Sequence, residues 1–100
     1  MKNFRTFNLA VAFYREAIAL PLPSPLKDQF KRAALSVPLN LAEGRGRATP
    51  TDQVRFFSIA FGSVRECQAL LEIANQEGTE IYSLLDKVAA SLYLLIKKGR

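Results

Sequence analysis

The sequence predicts an all-α fold, an antiparallel up-down-up-down four-helix bundle over residues 1–100. Three observations carry the prediction. Breakers divide the chain into four segments: Pro21, Pro23 and Pro25, then Gly44, Gly46 and Pro50, then Gly78. Within each segment the apolar residues recur at helical spacing and not in alternation. The connections are short, which favours antiparallel neighbours.

The first helix is expected from about Asn3 to Leu20. Phe4, Phe7, Val11, Tyr14 and Ile18 form one stripe at i, i+3, i+7, i+10 and i+14. Leu9, Phe13 and Leu20 lie on a different face, so this helix is apolar on more than one side. The second runs from Pro25 to about Glu43, with Ser24 as N-cap and proline at the first helical position. Leu26, Phe30, Ala33, Ala34, Val37 and Leu41 form its core stripe. Pro38 falls inside it. Its ring lacks the N–H that would bond Ala34, so a kink or break is expected there.

The third helix runs from Pro50 to about Gln76, capped by Thr49, with Asp52 three residues on. Phe57, Ala60, Phe61, Val64, Cys67, Leu71 and Ala74 form its main stripe, and Gly78 is a candidate C′ residue. The fourth runs from about Thr79 to Lys98, with Ser83 and Asp86 as a second capping signal. Ile81, Leu84, Leu85, Val88, Leu92, Leu95 and Ile96 form its stripe. Lys97 and Lys98 suit the negative end of its dipole.

The chain is 49% hydrophobic, which excludes disorder. It has no His and one Cys, so a disulfide framework and His-based acid–base chemistry are excluded. A metal site would need carboxylates alone. Glu66 with Glu72, and Glu77 with Glu80, are the carboxylate pairs, and none has a His beside it. Cys67 on an apolar stripe reads as inert. A non-enzyme without metal or cofactor is expected. No apolar run reaches the length of a spanning helix or a secretion signal, and the lone thiol fits a reducing compartment. The expectation is a soluble, cytoplasmic protein with no membrane partner.

The first and third helices also carry more apolar surface than one seam hides. Phe13, Phe56, Ile59 and Leu70 are candidates for a second buried surface, with a homo-oligomer as its user. Scattered exposed hydrophobes are the plainer alternative.

The formal charge is +5. Residues 1–50 hold eight basic and three acidic residues, and residues 51–100 hold six of each. The excess therefore belongs to the first half, as a solubility charge or a nucleic-acid footprint. Its most distinctive segment is Ser36-Val37-Pro38-Leu39-Asn40-Leu41-Ala42-Glu43-Gly44-Arg45-Gly46-Arg47. On a helix, Ser36, Asn40, Glu43 and Arg47 form one polar line. One reading is a polar clamp: Ser36 and Asn40 repair the ladder at Pro38 or bond a neighbouring helix, Glu43 accepts from Asn40, a backbone amide or Arg47, and Gly44 and Gly46 allow an exit at positive φ. The other makes Arg45 and Arg47 an exposed tip that contacts phosphate. Lys27 and Lys31, an i, i+4 pair that repels without an anion nearby, extend that surface. Arg32 does so too unless Asp28 neutralises it. Lys2, Arg5 and Arg15 complete the excess. Phe and Tyr follow helix periods and read as core, not as stacking platforms. Glu66, near Gly62 and Ser63, is expected to make a helix–helix hydrogen bond.

The Ser36–Arg47 segment resembles the signature S-I-P-x-N-I-A-E-G-x-G-R of the bacterial four-helix bundle proteins named after ribosomal-RNA intervening sequences. Phe57 to Glu66 resembles the family's F-L-x-I-A-x-G-S-x-x-E run, and Gln29 to Ala34 its Q-x-R-R-A-A segment. Leu94 to Lys98 also fits. Gln68-Ala69 departs from a commoner acidic and polar stretch. The resemblance implies a homopentameric barrel of such bundles. It also implies kinship with the accessory variability proteins of diversity-generating retroelements, which bind a reverse transcriptase and nucleic acid through basic surfaces. The expectation is a non-catalytic oligomer that binds RNA or DNA. The alternative is a protein–protein adaptor, for example a reverse-transcriptase partner.

Overall fold

The computed structural model describes residues 4–99 and holds four helices: α1 Arg5–Ala19, α2 Leu26–Arg45, α3 Pro50–Ile73 and α4 Glu80–Lys98. Lys2 and Asn3 lie outside the described residues. Helices α1 and α3 each pack on α2 and α4, and the diagonal pairs do not pack on each other. This is the expected antiparallel four-helix arrangement, drawn out to 40 × 22 × 22 Å. Among the described residues no helix is long and apolar enough to cross a membrane.

The core face of α1 corrects the expectation. Thr6, Ala10, Phe13 and Ala17 are the buried residues, spaced i, i+4, i+7 and i+11. Phe7, Val11 and Tyr14 are only half-buried, and Ile18 is exposed. Three of the four buried residues are small, so the core face shows less apolar bulk than the half-buried face beside it. Phe13 is therefore no interface residue. It is fully buried, edge-on to Phe30 at 5.9 Å and 86°. Edge-to-face geometry adds about 0.5–1.5 kcal/mol to the gain from burial. Thr6 is satisfied by a 2.6 Å hydrogen bond between its hydroxyl and that of Ser91 on α4. Phe4, just before α1, is buried against Phe57 of α3 at 6.2 Å.

The α2 stripe buries as expected at Phe30, Ala33, Ala34, Val37 and Leu41. Ser24 is not the cap. Pro25 holds the capping position with no side-chain bond, and the Lys27 amide donates to the Pro23 carbonyl at 3.0 Å. Pro38 does not break the helix, which continues through it to Arg45. Gly44 and Gly46 do not supply a positive φ either. Gly44 is inside the helix, and Gly46 has φ −82°. Gly44 answers a need for space: a Cβ there would sit 2.7 Å from Phe57 Cε1 and 3.1 Å from the Gln53 carbonyl. The α2–α3 seam closes over that missing methyl.

Thr49 caps α3 as expected, its Oγ1 accepting from the Asp52 amide at 3.2 Å. The helix ends earlier than predicted. Asn75, not Gly78, is the left-handed C′ residue, with φ 57°. Its amide donates to the Glu72 carbonyl and the Gln76 amide to the Leu71 carbonyl, the paired bonds of a Schellman close. Gly78, at φ 80°, serves the turn into α4 instead. Leu70 is buried in the core, so it too leaves the predicted interface. Thr79 caps α4, Oγ1 accepting from the Tyr82 amide, and Ser83 lies within the helix.

Candidate nucleic-acid interface

An antiparallel bundle brings the start of α1, the end of α2, the start of α3 and the end of α4 to one pole. Contacts across it are direct. The Arg45 guanidinium lies 4.6 Å from the Phe4 ring centroid, Phe4 meets Phe57, and a Cβ on Gly99 would lie 2.5 Å from Val54 Cγ2. Phe4, Arg5, Leu94, Leu95 and Lys98 line one groove there, of about 480 Å³. Two helix N-termini and two C-termini meet at this pole, so their dipoles largely cancel and side chains decide its charge.

Those side chains are Arg5, Arg45, Arg47, Arg55, Lys97 and Lys98, with Glu43 and Asp52 as the acids. Arg47 and Arg55 are spoken for. Arg47 Nη2 is 2.8 Å from Glu43 Oε2, and its Nε stands 3.6 Å from Asp52 Oδ2, an ionic contact too long for a hydrogen bond. Arg55 Nε donates to Asp52 Oδ1 at 3.1 Å. Both guanidinium groups stack on Phe56, at 4.5 and 4.4 Å from its centroid. Phe56 is thus half-buried between two arginines. Arg5, Arg45, Lys97 and Lys98 are exposed, and none forms an ion pair among the described residues.

The predicted phosphate-binding residues do not converge. Arg45 and Arg47 share this pole. Lys27, Lys31 and Arg32 sit near the other end of α2, about 20–27 Å away along the helix. There they mix with Glu16, Asp28, Glu72, Glu77 and Glu80. Arg32 and Asp28 form no ion pair among the described residues, so the expected neutralisation is not made. Sequence reading had placed the excess charge in one half of the chain. Folding divides that half between the two poles, and it brings Lys97 and Lys98 from the second half to Arg5 and Arg45.

The polar line is built, in altered form. Asn40 Nδ2 donates to the Ser36 carbonyl at 2.9 Å and to Ser36 Oγ at 3.0 Å. Ser63 Oγ donates across the seam to Ser36 Oγ at 2.8 Å. Ser36, Asn40 and Ser63 therefore form a clamp between α2 and α3. The bonds go to Ser36 and not to the Ala34 carbonyl that Pro38 frees. Glu43 joins Arg47 instead of Asn40. Glu66 is exposed with no hydrogen bond or ion pair among the described residues, so the expected helix–helix bond is not made. Gly62 is exposed as well, and a Cβ there would meet nothing within 4 Å.

Two titrating groups stand out. Burial, aided by the Glu66 charge, pushes the Cys67 thiol up to about 12. The Tyr82 hydroxyl donates to Glu72 Oε2 at 2.6 Å, and that bond, with lesser effects of desolvation and nearby carboxylates, pushes the phenol up to about 12.

Sequence reading missed several exposed apolar residues. Leu39 on α2 is 58% exposed and Tyr93 on α4 55%, with Leu35 and Leu94 also open. Their signal was present: each lies off the core stripe of its own helix. Ile59, expected at an interface, is exposed on α3.

No curated protein matches the chain. A family model does match, that of the 23S rRNA-intervening sequence protein, over residues 5–96. The chain belongs to that family.

Proposed function

We propose that this protein is a non-catalytic RNA-binding subunit that holds phosphates at the pole shared by Arg5, Arg45, Lys97 and Lys98. The observation that carries the reading is the meeting of four exposed cations, none ion-paired among the described residues, at one end of the bundle. Such charges attract a polyanion from solution and release its counterions on contact. The family's name, which refers to 23S rRNA, supports RNA as the polyanion. Arg47 acts behind the contact surface: with Arg55, Asp52 and Phe56 it stiffens the α2–α3 corner beside Arg45. A cytoplasmic site of action accords with the unpaired thiol of Cys67.

Salt tests the reading. Four phosphate contacts on a single strand give a log–log slope of about −3 and an affinity loss of about 50-fold between ~50 and ~200 mM salt. Fluorescence anisotropy with labelled RNA measures both. A flat salt response, or no binding at low salt, overturns the proposal.

Assembly belongs to the same reading. Leu35, Leu39 and Ile59 expose apolar side chains on α2 and α3 with nothing in the protomer to cover them. A self-contact there would bring several poles into one field and raise avidity. Light scattering at micromolar protein is expected to return a multiple of the protomer mass. A monomer at that concentration removes the oligomer from the proposal and leaves the phosphate contacts to stand alone.

A further inference from the structure

A groove of about 450 Å³ runs between α3 and α4, lined by Ser58, Phe61, Tyr93, Ile96 and Lys97. Its volume lies in the range of small-ligand sites. Ile96 is a buried wall and Phe61 is half-buried. Tyr93 is different. It is 55% exposed, and it is the one aromatic in the exposed class among the described residues. Phe56 cannot offer a free ring, because two guanidinium groups cover it. Tyr82 is engaged with Glu72. Among the described residues Tyr93 is therefore the aromatic side chain most open to solvent.

The charges around the groove fit a particular ligand. Lys97 stands one turn beyond Tyr93 on α4, toward the cationic pole, and has no ion pair among the described residues. Arg65, outside the groove's lining, stands one turn beyond Phe61 on α3 in the other direction, its guanidinium 5.0 Å from that ring's centroid and its Nη1 donating to Gln68 Oε1 at 3.0 Å. The groove thus has one open ring, Tyr93, and one lining cation, Lys97, at the end nearer the cationic pole. The Ser58 hydroxyl adds a donor and acceptor at its edge. Alternating π-surface and cation is the pattern that single-stranded nucleic acid uses, with bases stacked and phosphates flanking them. A duplex, whose bases are already stacked on each other, has no use for an exposed ring.

We infer that the α3–α4 groove seats an unpaired base of single-stranded RNA on Tyr93, with a flanking phosphate at Lys97. The inference rests on the phosphate-binding reading above and names the form of RNA that the same surface takes. The pole supplies attraction, and the groove supplies preference for an unpaired strand.

The test uses the full chain with an oligouridylate of about 12 nucleotides and an RNA duplex of the same length. The single strand is expected to bind about tenfold more tightly than the duplex, the worth of one or two stacked bases. Tyr93→Ala is expected to weaken single-strand binding about tenfold at every salt concentration, with the salt slope and the duplex affinity unchanged. Tyr93→Phe keeps the ring and is expected to bind as the parent does. Lys97→Gln is expected to lower the slope instead. Tyr93 is exposed, so unchanged circular dichroism and melting should accompany the loss. If the parent binds RNA while Tyr93→Ala binds the single strand equally well, the groove is overturned and the phosphate reading stands. If the parent binds neither RNA at low salt, the phosphate reading falls and takes the groove with it. Uridine monophosphate that displaces the strand at comparable concentration would make the seat one for a free nucleotide and overturn its assignment to a strand.

Discussion

Phe13→Ala is expected to lower the unfolding free energy by about 3–5 kcal/mol. The side chain is fully buried and edge-on to Phe30, so truncation removes its transfer energy, leaves a cavity and loses the ring pair. A single domain holds about 5–15 kcal/mol in total, so the variant gives up about a fifth of it or more. Urea titration at one fixed protomer concentration measures the change, since an oligomer's stability depends on concentration. Ile59→Ala, at an exposed position, provides the contrast: a protomer loses about 0.5 kcal/mol or less there. A Phe13→Ala variant within about 1 kcal/mol of the parent would remove the ring from the core, because a buried phenylalanine cannot be cut so cheaply.

Neutralising the pole is expected to have the largest effect on binding. Arg5→Gln, Arg45→Gln and Lys98→Gln combined should weaken single-stranded RNA binding about 100-fold near 0.1 M salt. Each lost phosphate contact costs about 1 kcal/mol, and 1.4 kcal/mol is a factor of ten. The slope of affinity against salt should fall by about 2. Lys27→Gln, Lys31→Gln and Arg32→Gln remove the same charge from the far pole. They lie about two Debye lengths from Arg45, so about a threefold loss or less is expected. Equal losses in the two variants would mean that net charge alone drives binding and that the pole has no special part. Circular dichroism separates either outcome from misfolding.

The sequence was most legible where a core stripe was bulky and continuous. Phe30, Val37 and Leu41 on α2, and Leu85, Val88 and Leu92 on α4, were readable because large residues recur at one angle. On α1 the same rule misled. Phe7, Val11, Tyr14 and Ile18 rival Thr6, Ala10, Phe13 and Ala17 in apolar bulk, yet the second set faces the core and only Phe4 of the predicted stripe joins it. A stripe of mostly small residues reads as weak by hydrophobicity even where it faces the core. The bundle and its family signature were therefore plain, and the face of one helix was not. Phe13 looked surplus because the α1 core face was drawn in the wrong place, and Leu70 because the α3 stripe, correct at Phe57, Ala60, Val64, Cys67 and Leu71, was drawn too narrow.

The candidate site was less legible than the fold. Charge counted along the chain cannot register that residues 5, 45 and 98 become neighbours. Nor could spacing show that Asp52, three residues past a cap, would draw Arg47 across the turn as well as Arg55. Asp28 and Arg32 show the reverse: ideal spacing offers a pair, but exposed ions gain too little from meeting to enforce it. Tyr93 was visible as an aromatic one step past Leu92. Only the packing of α3 on α4 made it the rim of a groove.

The Ser36 hydroxyl has a mechanical meaning. Close-packed apolar side chains, such as the Phe57 ring against Gly44, already resist sliding, and directional hydrogen bonds add to that resistance. Ser36 Oγ accepts from Ser63 and from Asn40, which occupies both of its lone pairs. A slip of one turn, about 5.4 Å, would separate the two hydroxyls and strand polar groups in a half-buried seam, at about 1–3 kcal/mol. The pair of helices is keyed like a shaft in its collar. A pull applied at one end of the molecule therefore moves both helices as one body, and shear between them is suppressed.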